Sequence, residues 1–139
     1  MKTLYTAIVT VHGGREGHAR SSDEMLEVDL MSPEELGRPG SIGTNPEQLF
    51  AAGYGACFES ALRLCARKQK IPLRDASITA HVSLNLTDEK RYILGIELHG
   101  KLDGVSPSDS MTLMEAAHKI CPYSNSTRGN VDVQLFVDP

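Results

Sequence analysis

The 139-residue chain has no tryptophan, and four tyrosines with three phenylalanines leave it only 5% aromatic. It has little with which to build a stacking platform for bases. It also lacks a basic excess: 14 Lys and Arg stand against 18 Asp and Glu, a formal charge of −4. That balance argues against a broad electrostatic footprint for nucleic acid. No apolar run approaches the roughly 20 residues needed to cross a bilayer. The early stretch is interrupted by Thr3, Thr6 and Thr10 and has no convincing small-residue cleavage site, so no signal peptide is expected. Three cysteines are too few for a structural disulfide framework. The expectation is a cytoplasmic protein whose thiols are either chemically active or simply buried.

What is present is an ordinary globular composition, 40% hydrophobic and 23% charged. It predicts a single domain over residues 1–139. Residues 4–11 are β-rich, and Gly13-Gly-Arg-Glu-Gly17 is turn chemistry, so a hairpin returning through 18–22 is expected. Leu26, Val28 and Leu30 alternate with polar residues as in a half-buried strand. A long loop over 32–44 follows, carrying Pro33, Gly37, Pro39, Gly40 and Gly43.

Asn45 suits a helix N-cap, Pro46 the first helical position, and Gln48 completes a capping-box-like Asn-x-x-Gln. The helix is expected to run to about Lys70. Its first half, 47–58, is apolar on nearly every side and predicts all-round burial. Gly53 and Gly55 each cost about 1 kcal/mol of helix propensity, which predicts a second helix crossing there. Two alternating strands follow at 78–86 and 94–102, joined by a turn at 88–91. A helix over 107–120 stops at Pro122, and a last strand covers 131–137. The order is β3-α-β2-α-β, an antiparallel α+β fold.

Two cysteines sit in unusual places: Cys57 in the apolar helix, and Cys121 where the later helix stops. Together they suggest a redox pair. Burial raises a thiol pKa, so a reactive Cys57 needs a neighbouring cation, and that cation needs a carboxylate to orient it. Glu47 is the only acid in the apolar half of the helix; Arg15 and Arg128 compete as the cation. Glu47 and Cys57 lie ten residues apart, about 15 Å along a straight helix. One arginine cannot serve both within that helix, whereas two copies packed antiparallel across a two-fold axis would bring Glu47 of one to Cys57 of the other.

These segments resemble the organic hydroperoxide resistance family of the OsmC superfamily. The resemblance rests on Tyr5-Thr-Ala, Gly13-Gly-Arg-Glu-Gly17, Glu35-Leu-Gly37, the block from Gly43 to Tyr54, Ala56-Cys-Phe58 and Cys121-Pro-Tyr-Ser-Asn-Ser-Thr-Arg-Gly-Asn130. It implies a peroxidatic role for Cys57, a resolving role for Cys121, and a catalytic Arg15 oriented by Glu47. It also implies sheets wrapped around long central helices in an intertwined homodimer, an organic hydroperoxide as substrate, and recycling by a lipoylated protein or another dithiol. One departure is Asp23-Glu24 where the family often has Asp-Gly, which bears on that turn's geometry.

Phe50, Phe58 and Tyr123 are the expected apolar contacts for an alkyl or lipid chain. Cys65 reads as core, as do Met111 and Met114. No metal or cofactor is expected: His118-x-x-Cys121 has no second paired motif, and the glycines of 37–43 lack a Gly-Lys-Ser/Thr ending. Two other functions fit the residues less well. One is a non-catalytic dimer holding a hydrophobic ligand; the other is a cysteine hydrolase, for which no histidine stands as an obvious base.

Overall fold

The computed structural model describes residues 1–37 and 42–139; the expected loop positions Pro39 and Gly40 lie outside them. Two compact units divide the chain, Met1–Leu49 and Phe50–Pro139.

In the first unit β1 (Val9–His12), β2 (His18–Ser21) and β3 (Glu27–Asp29) form an antiparallel sheet in that order. The expected hairpin forms, with His12 opposite His18. Its strand is shorter than residues 4–11: Leu4, Tyr5 and Ile8 are exposed, and the Ile8 carbonyl accepts from Ser22 N–H at 2.9 Å. Arg15 lies on a single 3₁₀ turn, Gly14–Glu16. The turn depends on its glycines: Gly13 takes φ 84, and a Cβ on Gly17 would sit 1.8 Å from the His12 carbonyl oxygen. The Asp23-Glu24 departure is real in geometry, because Glu24 adopts φ 65, the conformation glycine tolerates best. Asp23 helps hold that turn, accepting from Ser21 Oγ at 2.6 Å and from Met25 N–H at 3.1 Å.

Helix α1 (Pro46–Gln69) opens as expected. Asn45 Oδ1 accepts the Gln48 N–H at 2.9 Å. The side chain of Gln48 is taken by Thr44 Oγ1 at 2.7 Å.

The second unit holds the rest of α1, the hairpin β4 (Asp75–Leu86) and β5 (Tyr92–Asp103), α2 (Pro107–Ile120), α3 (Pro122–Thr127) and β6 (Val133–Val137). Strands β4 and β5 pair over twelve residues, and β6 lies on the far side of β5, giving the order β4-β5-β6. The pairing of β5 with β6 is parallel, which corrects the all-antiparallel expectation. The physical reason is the connection, since two helices carry the chain back so that β6 runs in the same direction as β5, with Val133 level with Ile96. Helix α3 was also missing from the expected order. Pro122 both stops α2 and occupies the first position of α3.

The core of this unit packs one stripe of α1 (Tyr54, Phe58, Ala61, Leu62, Cys65, Ala66) against Ile96, Leu98 and Leu102 of β5 and Leu113, Met114 and Ala117 of α2. The stripe recurs at helical spacing, so α1 buries one face rather than its whole circumference; Ala52 and Ala56 are exposed. Met114 is fully buried and lies over Gly100, where a Cβ would meet its sulfur at 2.5 Å. Among the described residues no helix is long and apolar enough to cross a membrane.

Candidate active site

The site residues fall into two groups, one in each unit. In the first, Arg15 meets Glu47 as a two-pronged fork: Nη1 donates to Oε2 at 2.9 Å and Nη2 to Oε1 at 2.6 Å. The Glu47 side chain is largely buried while that of Arg15 is 39% exposed, so the acid is the anchored partner. Glu47 stands in the first turn of α1, where the helix dipole also favours a carboxylate. Its hydrogen bonds from Arg15 hold its pKa below the ordinary carboxylate value, and the same contact raises that of Arg15.

In the second group the Sγ atoms of Cys121 and Cys57 are 3.6 Å apart, and both cysteines are free thiols. Cys121 is fully buried and Cys57 partly exposed. Cys121 is the one residue between α2 and α3, with φ −62 and ψ 125. Its N–H still donates to the Ala117 carbonyl and its carbonyl accepts from Asn125 N–H, both at 2.9 Å. The cysteine is thus pinned from both helices. Burial pushes the Cys57 thiol up; the backbone N–H of Tyr123 pulls the other way, and the neighbouring Cys121 adds to the rise. The surroundings of Cys57 in its own unit therefore favour the neutral thiol.

A buried hydroxyl network ties α1 to α2 and α3. Tyr54 Oη lies 2.8 Å from Ser124 Oγ and 3.3 Å from Thr127 Oγ1, and His118 Nδ1 also reaches Ser124 Oγ at 2.8 Å. His118 has its pKa lowered by burial and by the nearby Arg128 charge. Arg128 itself donates to the His118 carbonyl and, at 2.7 Å, to Asn125 Oδ1, fastening the end of α2 to α3. Sequence reasoning gave no role to Tyr54 or Ser124. The available signal was a tyrosine in an apolar helix, whose hydroxyl needs a partner once buried.

Of the expected apolar contacts, Phe50 and Tyr123 meet edge to face with centroids 5.9 Å apart. Both line a cavity of about 910 Å³ that continues along Ile93, Leu94 and Val131. Phe58 is fully buried in the core and does not line that cavity. Gly53 faces the Tyr123 ring, where a Cβ would come within 2.4 Å of the hydroxyl oxygen. The close approach expected there is thus made at Gly53 by a side chain of α3, while a Cβ on Gly55 would lie 3.7 Å from the Ile78 carbonyl oxygen of β4. Cys65 is buried core, as expected.

A family model described as OsmC-like protein matches residues 38–136. The organic hydroperoxide resistance protein OhrA of Bacillus subtilis is 49% identical over 140 residues, covering 96% of each chain. That of Xanthomonas axonopodis pv. citri is 47% identical over 135 residues, covering 96% of this chain and 94% of its own. The chain belongs to the organic hydroperoxide resistance family of OsmC-like proteins. A crystal structure of a family member from Legionella pneumophila superposes with a TM-score of 0.93 at 53% identity, covering 99% of this chain and all of the other. The structure of OhrB from Bacillus subtilis gives a TM-score of 0.89 at 42% identity, with 98% of this chain and 100% of the other covered. The family fold is therefore the α+β arrangement described above.

Proposed function

We propose that this protein is a thiol peroxidase that reduces organic hydroperoxides to alcohols. A hydroperoxide-resistance role is supported by the names of its relatives. The observation that carries the finer reading is the 3.6 Å approach of Cys57 and Cys121 as free thiols. Two sulfurs at that distance need only a small movement to reach the roughly 2.05 Å of a disulfide.

In the proposed cycle the Cys57 thiolate attacks one peroxide oxygen. The O–O bond breaks, the alkoxide leaves as the alcohol after taking a proton, and Cys57 becomes a sulfenic acid. Cys121 attacks that sulfur, releasing water and forming the Cys57–Cys121 disulfide. A dithiol reductant of the lipoyl type then restores both thiols by exchange through a mixed disulfide. Arg15 is assigned the task of favouring the thiolate and polarising the peroxide, with Glu47 fixing the plane of its guanidinium. The bidentate pairing of Arg15 and Glu47 supports that division of labour. We further assign the working form to a homodimer, in which the arginine and acid of one copy serve Cys57 of the other.

Phe50 and Tyr123 are the proposed contacts for the alkyl chain, and Phe58 backs them from the core. Each buried methylene is worth about 0.8 kcal/mol, or roughly fourfold in preference over hydrogen peroxide. A second reading, a non-catalytic protein that stores a hydrophobic ligand, draws on the cavity beside Phe50 and Tyr123. One experiment separates the two: consumption of an alkyl hydroperoxide, hydrogen peroxide and an ester in the presence of dihydrolipoamide. The peroxidase consumes the alkyl hydroperoxide fastest and leaves the ester. A binding protein consumes none, and full turnover by Cys57→Ser would overturn the assigned roles.

A further inference from the structure

The outer face of the second sheet, away from the thiols' helices, gathers chemistry that the peroxidase reading leaves unused. His81 of β4 stands directly opposite Glu97 of β5. His99 lies two residues beyond Glu97 and therefore on the same face. The ligand atoms of these three residues all lie within 4.8 Å of one another. We propose that His81, Glu97 and His99 form a binding site for a divalent transition-metal ion of the zinc type, with Asp138 supporting His99 from behind.

Three observations carry the proposal. First, one carboxylate oxygen faces both imidazoles: Glu97 Oε2 is 3.0 Å from His99 Nε2 and 3.5 Å from His81 Nδ1. Two donors on one tetrahedral zinc, each about 2.0–2.1 Å from the ion, stand about 3.3 Å apart. Second, the other nitrogen of His99 is already engaged, with Nδ1 3.2 Å from Asp138 Oδ1. A carboxylate on the far nitrogen is the usual support of a metal-binding histidine, because it fixes the tautomer and turns the remaining lone pair inward. Asp138 is itself anchored, its N–H donating to the Gly100 carbonyl at 2.9 Å. Third, His99 is clamped between rings, with His81 stacked at 4.5 Å and Phe136 at 4.6 Å. All three donors stand on paired strands, which hold a site more firmly than loops do.

Two imidazoles and one carboxylate suit zinc, copper or nickel and disfavour calcium and magnesium, which take oxygen ligands. The His81 side chain is 55% exposed, leaving room for water to complete the coordination. Spacing along the chain conceals this group, because only the β4–β5 register brings residues 16 and 18 positions apart together.

The test is titration of the full-length, chelator-treated protein with Zn²⁺, followed by the imidazole Cε1–H NMR signals. One equivalent is expected to move the signals of His81 and His99 and to leave that of buried His118 in place. His81→Gln and His99→Gln each weaken binding at least tenfold, and Asp138→Asn weakens it 10- to 100-fold. These positions lie on the sheet surface, and circular dichroism checks that each variant is folded. Cys57→Ser binds as the parent does. Signals that stay still at millimolar Zn²⁺ overturn the site. So does binding that survives His99→Gln but disappears in Cys57→Ser, since that places the ion on the thiols.

Discussion

Cys57 and Cys121, separated by 64 positions in the chain, place their sulfurs 3.6 Å apart in the folded second unit. In the proposed cycle these sulfurs would have only a short way to travel to reach disulfide length. Replacing Cys121 by Ser should leave the first oxidation intact and block the return. Intact-mass measurement after one equivalent of alkyl hydroperoxide should find a single added oxygen that persists, and steady-state turnover with a dithiol should fall at least 100-fold. Unimpaired turnover by Cys121→Ser would remove the resolving role.

The pairing of Arg15 with Glu47 predicts an acid-sensitive contribution to stability. Glu47 has a folded pKa below its unfolded value, chiefly through its hydrogen bonds from Arg15. A depressed carboxylate stabilises the fold above its unfolded pKa, and the gain is lost as pH falls through the folded one. Glu47→Gln should therefore cost stability at pH 7, and the cost should shrink as the pH falls into the acid range. Urea midpoints for both proteins across that range provide the check, and a difference independent of pH would refute the linkage.

The thiol of Cys57 is pushed up by burial in its own unit, and a neighbouring cation would pull it back toward the thiolate. If Arg15 is that cation, Arg15→Ala should shift the pH midpoint of Cys57 alkylation upward by at least one unit. Arg15→Lys should recover only part, because an ammonium lacks the planar fork that Glu47 grips. Mass-resolved alkylation rates from pH 5 to 10 decide the matter.

Tyr54→Phe removes one hydroxyl from the network of Ser124, Thr127 and His118. Leaving buried partners short of a hydrogen bond costs about 1–3 kcal/mol. Ser124→Ala should cost a similar amount, and the double variant less than the sum, because the two share one bond. Strictly additive urea-denaturation energies would show that the network does not act as a unit.

Gly53→Ala should displace Tyr123, because the new methyl would come within 2.4 Å of its hydroxyl oxygen. Overpacking of this kind costs about 1–3 kcal/mol. Tyr123 also supplies the N–H that favours Cys57 ionisation. Thermal unfolding and Cys57 alkylation should therefore change together, and a change in one alone would separate the two effects.

Much of this fold is legible in the chain. Asn45-Pro46 marks the start of α1, the alternation around Ile78 and Leu98 gives the long hairpin, and Pro107 after Ser106 opens α2. The parts that escape reading depend on tertiary context. Pro122 ends one helix and begins another, and local pattern carries only the first meaning. Parallel pairing of β6 is set by a connection across the sheet rather than by its own residues. The apolar half of α1 suggests burial all round, yet the folded unit covers one stripe and leaves Ala52 and Ala56 in the open. At the site, Cys57, Cys121, Arg15 and Glu47 stand out through chemically unusual surroundings or family likeness. Tyr54 and Ser124 do not, because a hydroxyl reveals its partner only when both are folded in.

The total enclosure of Cys121 sets an order of events. In the proposed cycle an incoming dithiol would meet Cys57 first, because Cys57 is partly exposed and Cys121 is fully buried. The transient adduct of that cycle would then form on residue 57, with Cys121 as the leaving group. Traffic with the outside would pass through one sulfur, and its partner would be spared from alkylation, overoxidation and stray disulfides.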